Sequence, residues 1–435
     1  MRIKSIIPRL YKKQNFKYFP ILLFVFAFLL RLGLILVLKT YSSPYHYSEH
    51  VRIADNILAG KGYSFEWYGL GAAGEGSFMP PVYVAVVLMA KIAFPSVPWL
   101  AIQIFQAGLS AGTAVIVYFI GKEIFTEFIG FIASFAVAVY PPALGYVLDI
   151  QTLILETFLV TFTVLAGIYW RKYGTWKQAS ILGSALGLAV LSRSNLILLL
   201  PLFFIWMVLC HRRRGAIHFM VLVGVLVLIL GPWVLRNYLV HKEFVLVSTE
   251  GGFTLFQGNN ANATGVYSGR GGVIWEQYPG LAKELAPLDE AARDKRLYQE
   301  SIAFIRTHPK ETFSLALKKF AYFWWFKPKF IEGGVASGYP WYFGFTYMCS
   351  YAVLLCFSIL GLVLSFKKYR DLFIIYTLFL IQTFVSMVFI TGTRFRGILE
   401  PLLILLAAYG IVWAFPRFIR VLRNSQLKAS AEGRS

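Results

Sequence analysis

Residues 178–214 read QASILGSALGLAVLSRSNLILLLPLFFIWMVLCHRRR, and the way this stretch divides decides the fold. Taken as one helix, it buries Arg193 in mid-membrane and leaves His211, Arg212, Arg213 and Arg214 outside. Taken as two short helices meeting near Ser192-Arg193-Ser194, it sets Arg193 at the outer face and the arginine cluster inside. A lone charge at the bilayer centre costs about 2.5–3.5 kcal/mol on insertion scales, and short cytoplasmic segments carry the Lys and Arg excess. The two-helix reading meets both conditions, although the 33 residues from 178 to 210 are tight for two full spans.

The rest of the chain agrees with a membrane reading. Of its 435 residues 58% are hydrophobic and 14% charged, and the mean hydropathy is +0.63. Soluble chains are nearer ~45–50% apolar and ~25% charged. This excludes a soluble enzyme, a disordered chain and a collagen-like chain. Other runs long enough to cross, at ~20 residues each, are 18–38, 100–120, 128–144, 146–169, 216–235, 341–366, 372–391 and 397–415. The expectation is an all-α polytopic membrane protein with about ten spans and both termini cytoplasmic. Arg2, Lys4, Arg9, Lys12, Lys13 and Lys17 precede the first span with no acidic residue among them. Lys122, Arg171-Lys172, Arg212 to Arg214, Lys367-Lys368 with Arg370, and the tail residues Arg417, Arg420, Arg423 and Lys428 fall on the same side. The net charge of +21, from 42 Lys+Arg against 21 Asp+Glu, thus orients the chain and calls for no nucleic acid. Cys210, Cys349 and Cys356 lie in apolar runs, so no disulfide framework is indicated.

Three parts are expected: an N-terminal transmembrane module over 1–235 that includes a first outer loop (40–99), a second outer loop over 236–339, and C-terminal transmembrane helices with a basic tail over 340–435. Loops this long usually carry function. In the first, Val51, Ala54, Ile57 and Leu58 recur at helical spacing before Gly60, which predicts an amphipathic helix lying on the membrane. Pro80-Pro81 opens a second apolar helix, to Phe94, too short to span and placed at the interface. In the second loop a soluble helix runs from Asp289 to Arg306, and Trp324-Trp325 suit an aromatic belt.

Four polar clusters fall at the outer face. Glu49 and Asp55, with His46 and His50, could supply a carboxylate that takes a proton, or could be the solvated face of a helix. Six residues apart, Glu49 and Asp55 sit on different helical sides. His46, Glu49 and His50 share one face, where metal ligation is conceivable, but no metal signature accompanies them. Asp149 and Glu156 follow Tyr140-Pro141-Pro142; a carboxylate at membrane depth marks a functional site or a buried polar contact. Arg193, Arg236, Arg394 and Arg396 break the positive-inside pattern, and a guanidinium fork suits a phosphate. Headgroup snorkelling is the plainer account, and Glu400 at i+4 could pair with Arg396. The run STEGGFTLFQGNNANATG, residues 248–265, concentrates Gly and Asn for close backbone approach, and Asn259 and Asn260 could hydrogen-bond a sugar.

The order of segments resembles the bacterial members of glycosyltransferase family 39, with their relatives the protein O-mannosyltransferases and aminoarabinose transferases, which have a GT-C fold. The resemblance rests on ADNILAGKGYSF, PPVYVAVVLMA, a Tyr-Pro turn before ILETFL, LGLAVLSRSN, GPWVLRNYLVHKEFVLVSTEGGFTLFQGNNANATG, IRTHP and RFRGILEPLLILLAAYG. It implies an inner-membrane enzyme that moves a sugar from a polyprenyl-phosphate carrier to an acceptor hydroxyl on the extracytoplasmic face, with inversion. The acceptor would be a lipid, a glycan or a protein. A first-loop carboxylate acts as base in such enzymes, and basic residues hold the lipid phosphate, a role that falls here to Arg193, Arg236, Arg394 and Arg396. Asp55, Glu156, Asn259 and Asn260 then line the sugar or acceptor. One departure stands out. The family carries an aspartate where this chain has His46, so either Glu49 has taken the role, or Asp149 supplies the base, or activity is altered. No cofactor is called for, and a divalent cation is left open. The competing readings are a glycan polymerase or ligase, a lipid-linked sugar transporter, and a non-catalytic relative.

Overall fold

The protein is described here by a computed structural model covering residues 16–42, 48–71, 74–266, 275–325 and 341–415. His46 lies outside them. The described residues are almost wholly helical, with one isolated bridge between Val266 and Thr391. The first-loop helices α2 (Glu49–Leu58) and α3 (Pro81–Ala93) follow α1 (Phe19–Leu38). Then come α4 (Pro98–Ile124), α5 (Glu127–Val139), α6 (Pro141–Tyr146), α7 (Leu153–Tyr173), α8 (Trp176–Ser192), α9 (Leu199–His211) and α10 (Arg213–His241). The second loop carries α11 (Gly251–Gly258), α12 (Pro279–Leu285), α13 (Glu290–Thr307) and α14 (Pro309–Trp324). The chain closes with α15 (Trp341–Ser365), α16 (Tyr369–Val388), the short α17 (Thr393–Arg396) and α18 (400–415).

Among the described residues, seven stretches are apolar and long enough to cross a membrane; one of them, Gly344–Val388, holds both α15 and α16. The helices α5 and α8 have only 13 and 17 residues. The chain is therefore a multi-pass membrane protein. The stretch quoted at the outset does divide at Arg193, which is extended (φ −152°, ψ 99°) and ends α8; a turn over Ser194–Leu198 leads into α9.

Two expectations are corrected. α2 was expected to lie on lipid, yet Val51, Ile53 and Ala54 are buried and α2 packs on α3. Ser48 caps it by accepting from the Val51 N–H at 3.3 Å. The run 128–144 does not continue as one helix. Pro141 forces Tyr140 out of the α region (ψ 118°), so α5 stops at Val139.

That stop frees carbonyls in the bundle interior. Pro141 and Pro142 have no N–H to return to Val137 and Ala138. Arg31, fully buried in the middle of α1, supplies the donors instead. Its Nη1 reaches the Ala138 carbonyl at 2.9 Å and Ala27 at 3.0 Å, Nη2 reaches Val137 at 3.4 Å, and Nε reaches Ser110 Oγ at 2.8 Å. One side chain thus ties α1, α4 and the end of α5 together.

Candidate active site

Chain segments far apart in sequence converge at one end of the bundle. Glu49, in the first turn of α2, accepts a 2.5 Å hydrogen bond from the Tyr68 hydroxyl, and the Tyr68 ring stacks on Phe253. Next to it His50 is buried edge-on against Tyr83. The Tyr83 hydroxyl donates to Gln106 Oε1 at 2.7 Å, and Gln106 Nε2 donates to the Asp149 carbonyl at 2.8 Å. Asp149 therefore stands beside this layer, in the break that Pro141-Pro142 opened before α7. Glu156 sits in the first turn of α7, where the helix N-terminus favours a carboxylate. It is buried and takes a 2.6 Å ion pair from Arg193 Nη1. Arg193 and Arg394 both lie against the Phe395 ring, at 5.4 and 5.2 Å from its centroid.

Glu250, immediately before α11, completes the group. Burial pushes its carboxyl up to about 7; Glu49 and Glu156 reinforce this, and Arg193 and Arg394 oppose it. Burial likewise lowers His50 to about 4 against the pull of Glu49 and Glu156, with Arg394 helping to lower it, so His50 is neutral near pH 7. Glu49, Glu156, Arg193 and Arg394, from four separate stretches, are thus all brought close enough to act on Glu250. The glycines of the STEGGFTLFQG run explain the close approach. A Cβ on Gly252 would meet the Asp294 carbonyl, and one on Gly258 would meet the Phe389 carbonyl.

The other residues singled out in the sequence lie apart. Asp55 is exposed on the opposite side of α2 and pairs with Lys91. Arg236 donates to the Gly76 carbonyl at 2.5 Å and Ser77 Oγ at 3.1 Å, between the Tyr63 and Trp233 rings. Arg396 is fully enclosed: it donates to the Phe323 and Trp325 carbonyls and the Tyr347 hydroxyl, lies over Tyr351, and sits 3.7 Å from Glu400. It caps the end of α14. Asn259 Nδ2 donates to the Leu255 and Val388 carbonyls, and its Oδ1 accepts from Lys319 at 3.2 Å. Asn260 donates to the Phe256 carbonyl and accepts from the Tyr278 hydroxyl. These side chains spend their hydrogen bonds on the fold. Among the described residues no group of three or more His, Cys, Asp or Glu is placed to hold a metal.

Sequence reasoning passed over Glu250, although its place before a Gly-Gly pair was a usable signal. It also passed over Lys319. That side chain is fully buried on α14, with Nζ on Asn259 Oδ1 and the Val388 carbonyl, and burial lowers it to about 7. This contact holds the end of α16 next to the segment that carries Arg394.

Residues 79–235 match the family model described as dolichyl-phosphate-mannose-protein mannosyltransferase. The match takes in Asp149, Glu156 and Arg193; Glu49, Glu250 and Arg394 fall outside it. The chain is similar in structure to the archaeal oligosaccharyltransferase AglB from Archaeoglobus fulgidus in complex with an inhibitory peptide and a dolichol-phosphate. The TM-score is 0.56 at 17% identity, over 95% of this chain and 52% of that one. The apo form of the Archaeoglobus fulgidus oligosaccharyltransferase gives 0.57 at 17%, over 94% and 52%. The form tethered to an acceptor peptide gives 0.54 at 17%, over 94% and 51%. The chain spans about half the length of these structures. No curated protein sequence matches it. The fold is a GT-C-like membrane helical fold, and the matched family and the structural neighbours are glycosyltransferases by name.

Proposed function

We propose that the chain is an integral membrane glycosyltransferase. It takes a sugar from a polyprenyl-phosphate carrier and passes it, with inversion, to an acceptor hydroxyl at the end of the bundle where the five charged side chains meet. The observation that supports this best is the convergence of Glu49, Glu156, Glu250, Arg193 and Arg394 in a chain of this fold. The chemistry asks for both signs of charge. Departure of a lipid phosphate needs positive charge rather than a proton, and Arg193 and Arg394 are guanidiniums that act on this carboxylate group. The acceptor hydroxyl needs one base. Glu49 takes that role, oriented by the Tyr68 hydroxyl; Asp149 is the alternative base on the neighbouring turn. Glu156 holds Arg193 in place. The three-part organisation fits: module 1–235 supplies Glu49, Glu156 and Arg193, the loop 236–339 supplies Glu250, and 340–435 supplies Arg394. In this reading the site faces outward, the termini lie in the cytoplasm, and the acceptor is a lipid, glycan or protein.

The test is transfer of radiolabel from polyprenyl-phosphate sugar to candidate acceptors by reconstituted wild type and Glu49→Gln. Absence of transfer with every acceptor counts against the enzyme reading. Transfer that survives the substitution removes Glu49 as base and turns attention to Asp149.

A further inference from the structure

At the opposite end of the bundle from these charges is a polar cavity. Arg171 lies fifteen residues beyond Glu156 on α7, a rise of about 22 Å. Here the ends of α4 and α7 meet the start of α16 around a cavity of about 320 Å³, lined by Glu123, Ile124, Ile168, Arg171, Lys172 and Asp371. That is more than twenty times the ~10–15 Å³ of such space that one water needs. Its wall holds two cations and two carboxylates, arranged as the ion pairs Arg171–Asp371 and Lys172–Glu123, the latter at 2.7 Å. A further cation, Lys368, donates to the Ile124 carbonyl at 2.8 Å and lies over Phe125.

The surroundings fix the depth of this cavity. Tyr173, Trp176, Phe366 and Tyr369 are all exposed around it. A girdle of exposed aromatic rings next to lysines and arginines marks the headgroup layer of a bilayer. The cavity therefore opens where lipid headgroups lie, and its paired charges offer both signs to a headgroup.

We propose that this cavity binds the headgroup of a membrane phospholipid that carries both a phosphodiester and a primary ammonium. The Arg171 fork and Lys172 meet the phosphate, and Glu123 and Asp371 accept from the ammonium. The two existing ion pairs open and re-form through the headgroup, so no charge is left unpaired. Lys368 adds to the attraction for phosphate. The same carboxylates repel a headgroup that is purely anionic, and a trimethylated ammonium has no N–H to offer them.

Native mass spectrometry of the full chain, titrated in detergent with one lipid at a time, tests this. Phosphatidylethanolamine should be retained about tenfold better than phosphatidylglycerol or phosphatidylcholine of the same chain length. Lys172→Gln should abolish that retention, and Glu123→Gln should shift preference towards phosphatidylglycerol. Water-soluble glycerophosphoethanolamine, at the same concentrations, should not displace the lipid. Equal retention of all three lipids overturns the proposal, as does a preference of wild type for phosphatidylglycerol. So does displacement by the soluble headgroup, which would make this a site for free phosphoesters. The wild-type titrations decide the matter even where a variant does not fold.

Discussion

Arg31 offers the sharpest test of how this bundle is held together. Its four hydrogen bonds reach Ser110 Oγ and the Ala27, Val137 and Ala138 carbonyls. Replacing it with methionine keeps the volume roughly constant and removes every donor. The Val137 and Ala138 carbonyls are then left in the interior with no other helix N–H, because Pro141 and Pro142 have none. An unsatisfied buried acceptor costs about 1–3 kcal/mol, so two cost about 2–6 kcal/mol. Removing a buried charge returns part of its desolvation cost. The expected net loss for Arg31→Met is about 2–4 kcal/mol, read from denaturant titration or thermal unfolding in detergent. The prolines supply the internal control. In the Arg31→Met background, Pro141→Ala with Pro142→Ala lets α5 run on and return two N–H groups to those carbonyls. This should recover about 1 kcal/mol, although the same pair of substitutions stabilises the parent less or not at all. The cycle isolates the coupling. A neutral Arg31→Met, or strict additivity with the proline substitutions, refutes the reasoning.

The arginines should separate by assay. Arg394→Ala is expected to raise KM for the lipid-linked donor about tenfold or more, whereas Arg396→Leu strips the carbonyl cap of α14, leaves buried Glu400 without its cation, and should cost about 3–5 kcal/mol of stability. The loop carries a pH signature. Burial raises Asp294 to about 8 and Glu250 to about 7, so the folded chain holds these protons more tightly than the unfolded chain. Their stabilisation is full below the ordinary carboxylate range and is lost as pH rises through about 7 and then 8. Lys319, lowered to about 7, acts in the opposite sense, so the informative quantity is a difference. The gap in unfolding temperature between wild type and Asp294→Asn should move in favour of the asparagine variant as pH rises through 8; a gap independent of pH refutes the assignment.

Much of the fold was legible because the bilayer imposes few options. Apolar runs located the helices, and the position of Arg193 forced the division between α8 and α9. The end of α5 was misplaced because hydrophobicity runs straight across Pro141-Pro142, while the backbone does not. The site was legible only in part. Arg236, Arg394 and Arg396 look alike in sequence, and only packing shows that Arg236 and Arg396 spend their donors on carbonyls and hydroxyls while Arg394 lies against Phe395 beside Arg193. Asn259 and Asn260 could equally have faced a sugar or the backbone, and the fold took both for itself. Glu250 went unread because a carboxylate beside glycines looks like any turn until the distant Glu49 and Glu156 are brought against it.

The shortness of α5 reaches beyond the protein itself. Thirteen residues rise about 20 Å, against a hydrocarbon core of about 30 Å. Phe128, Phe135 and Val139 are exposed along it, and Phe135 stacks on the exposed Phe26 of α1, so the two helices share an apolar flank open to acyl chains. Lipid beside α5 therefore meets a short apolar wall, at a mismatch cost of fractions of a kcal/mol per ångström, whereas the 20 residues of α1 match the core. If the proposed function holds, this short flank, next to the Pro141-Pro142 break, is the side from which a carrier phosphate would have the shortest path to the arginines. The apolar wall is thus stepped, low at α5 and tall at α4 and α10 with their 27 and 29 residues, so membrane thickness is felt at one flank rather than evenly around the bundle.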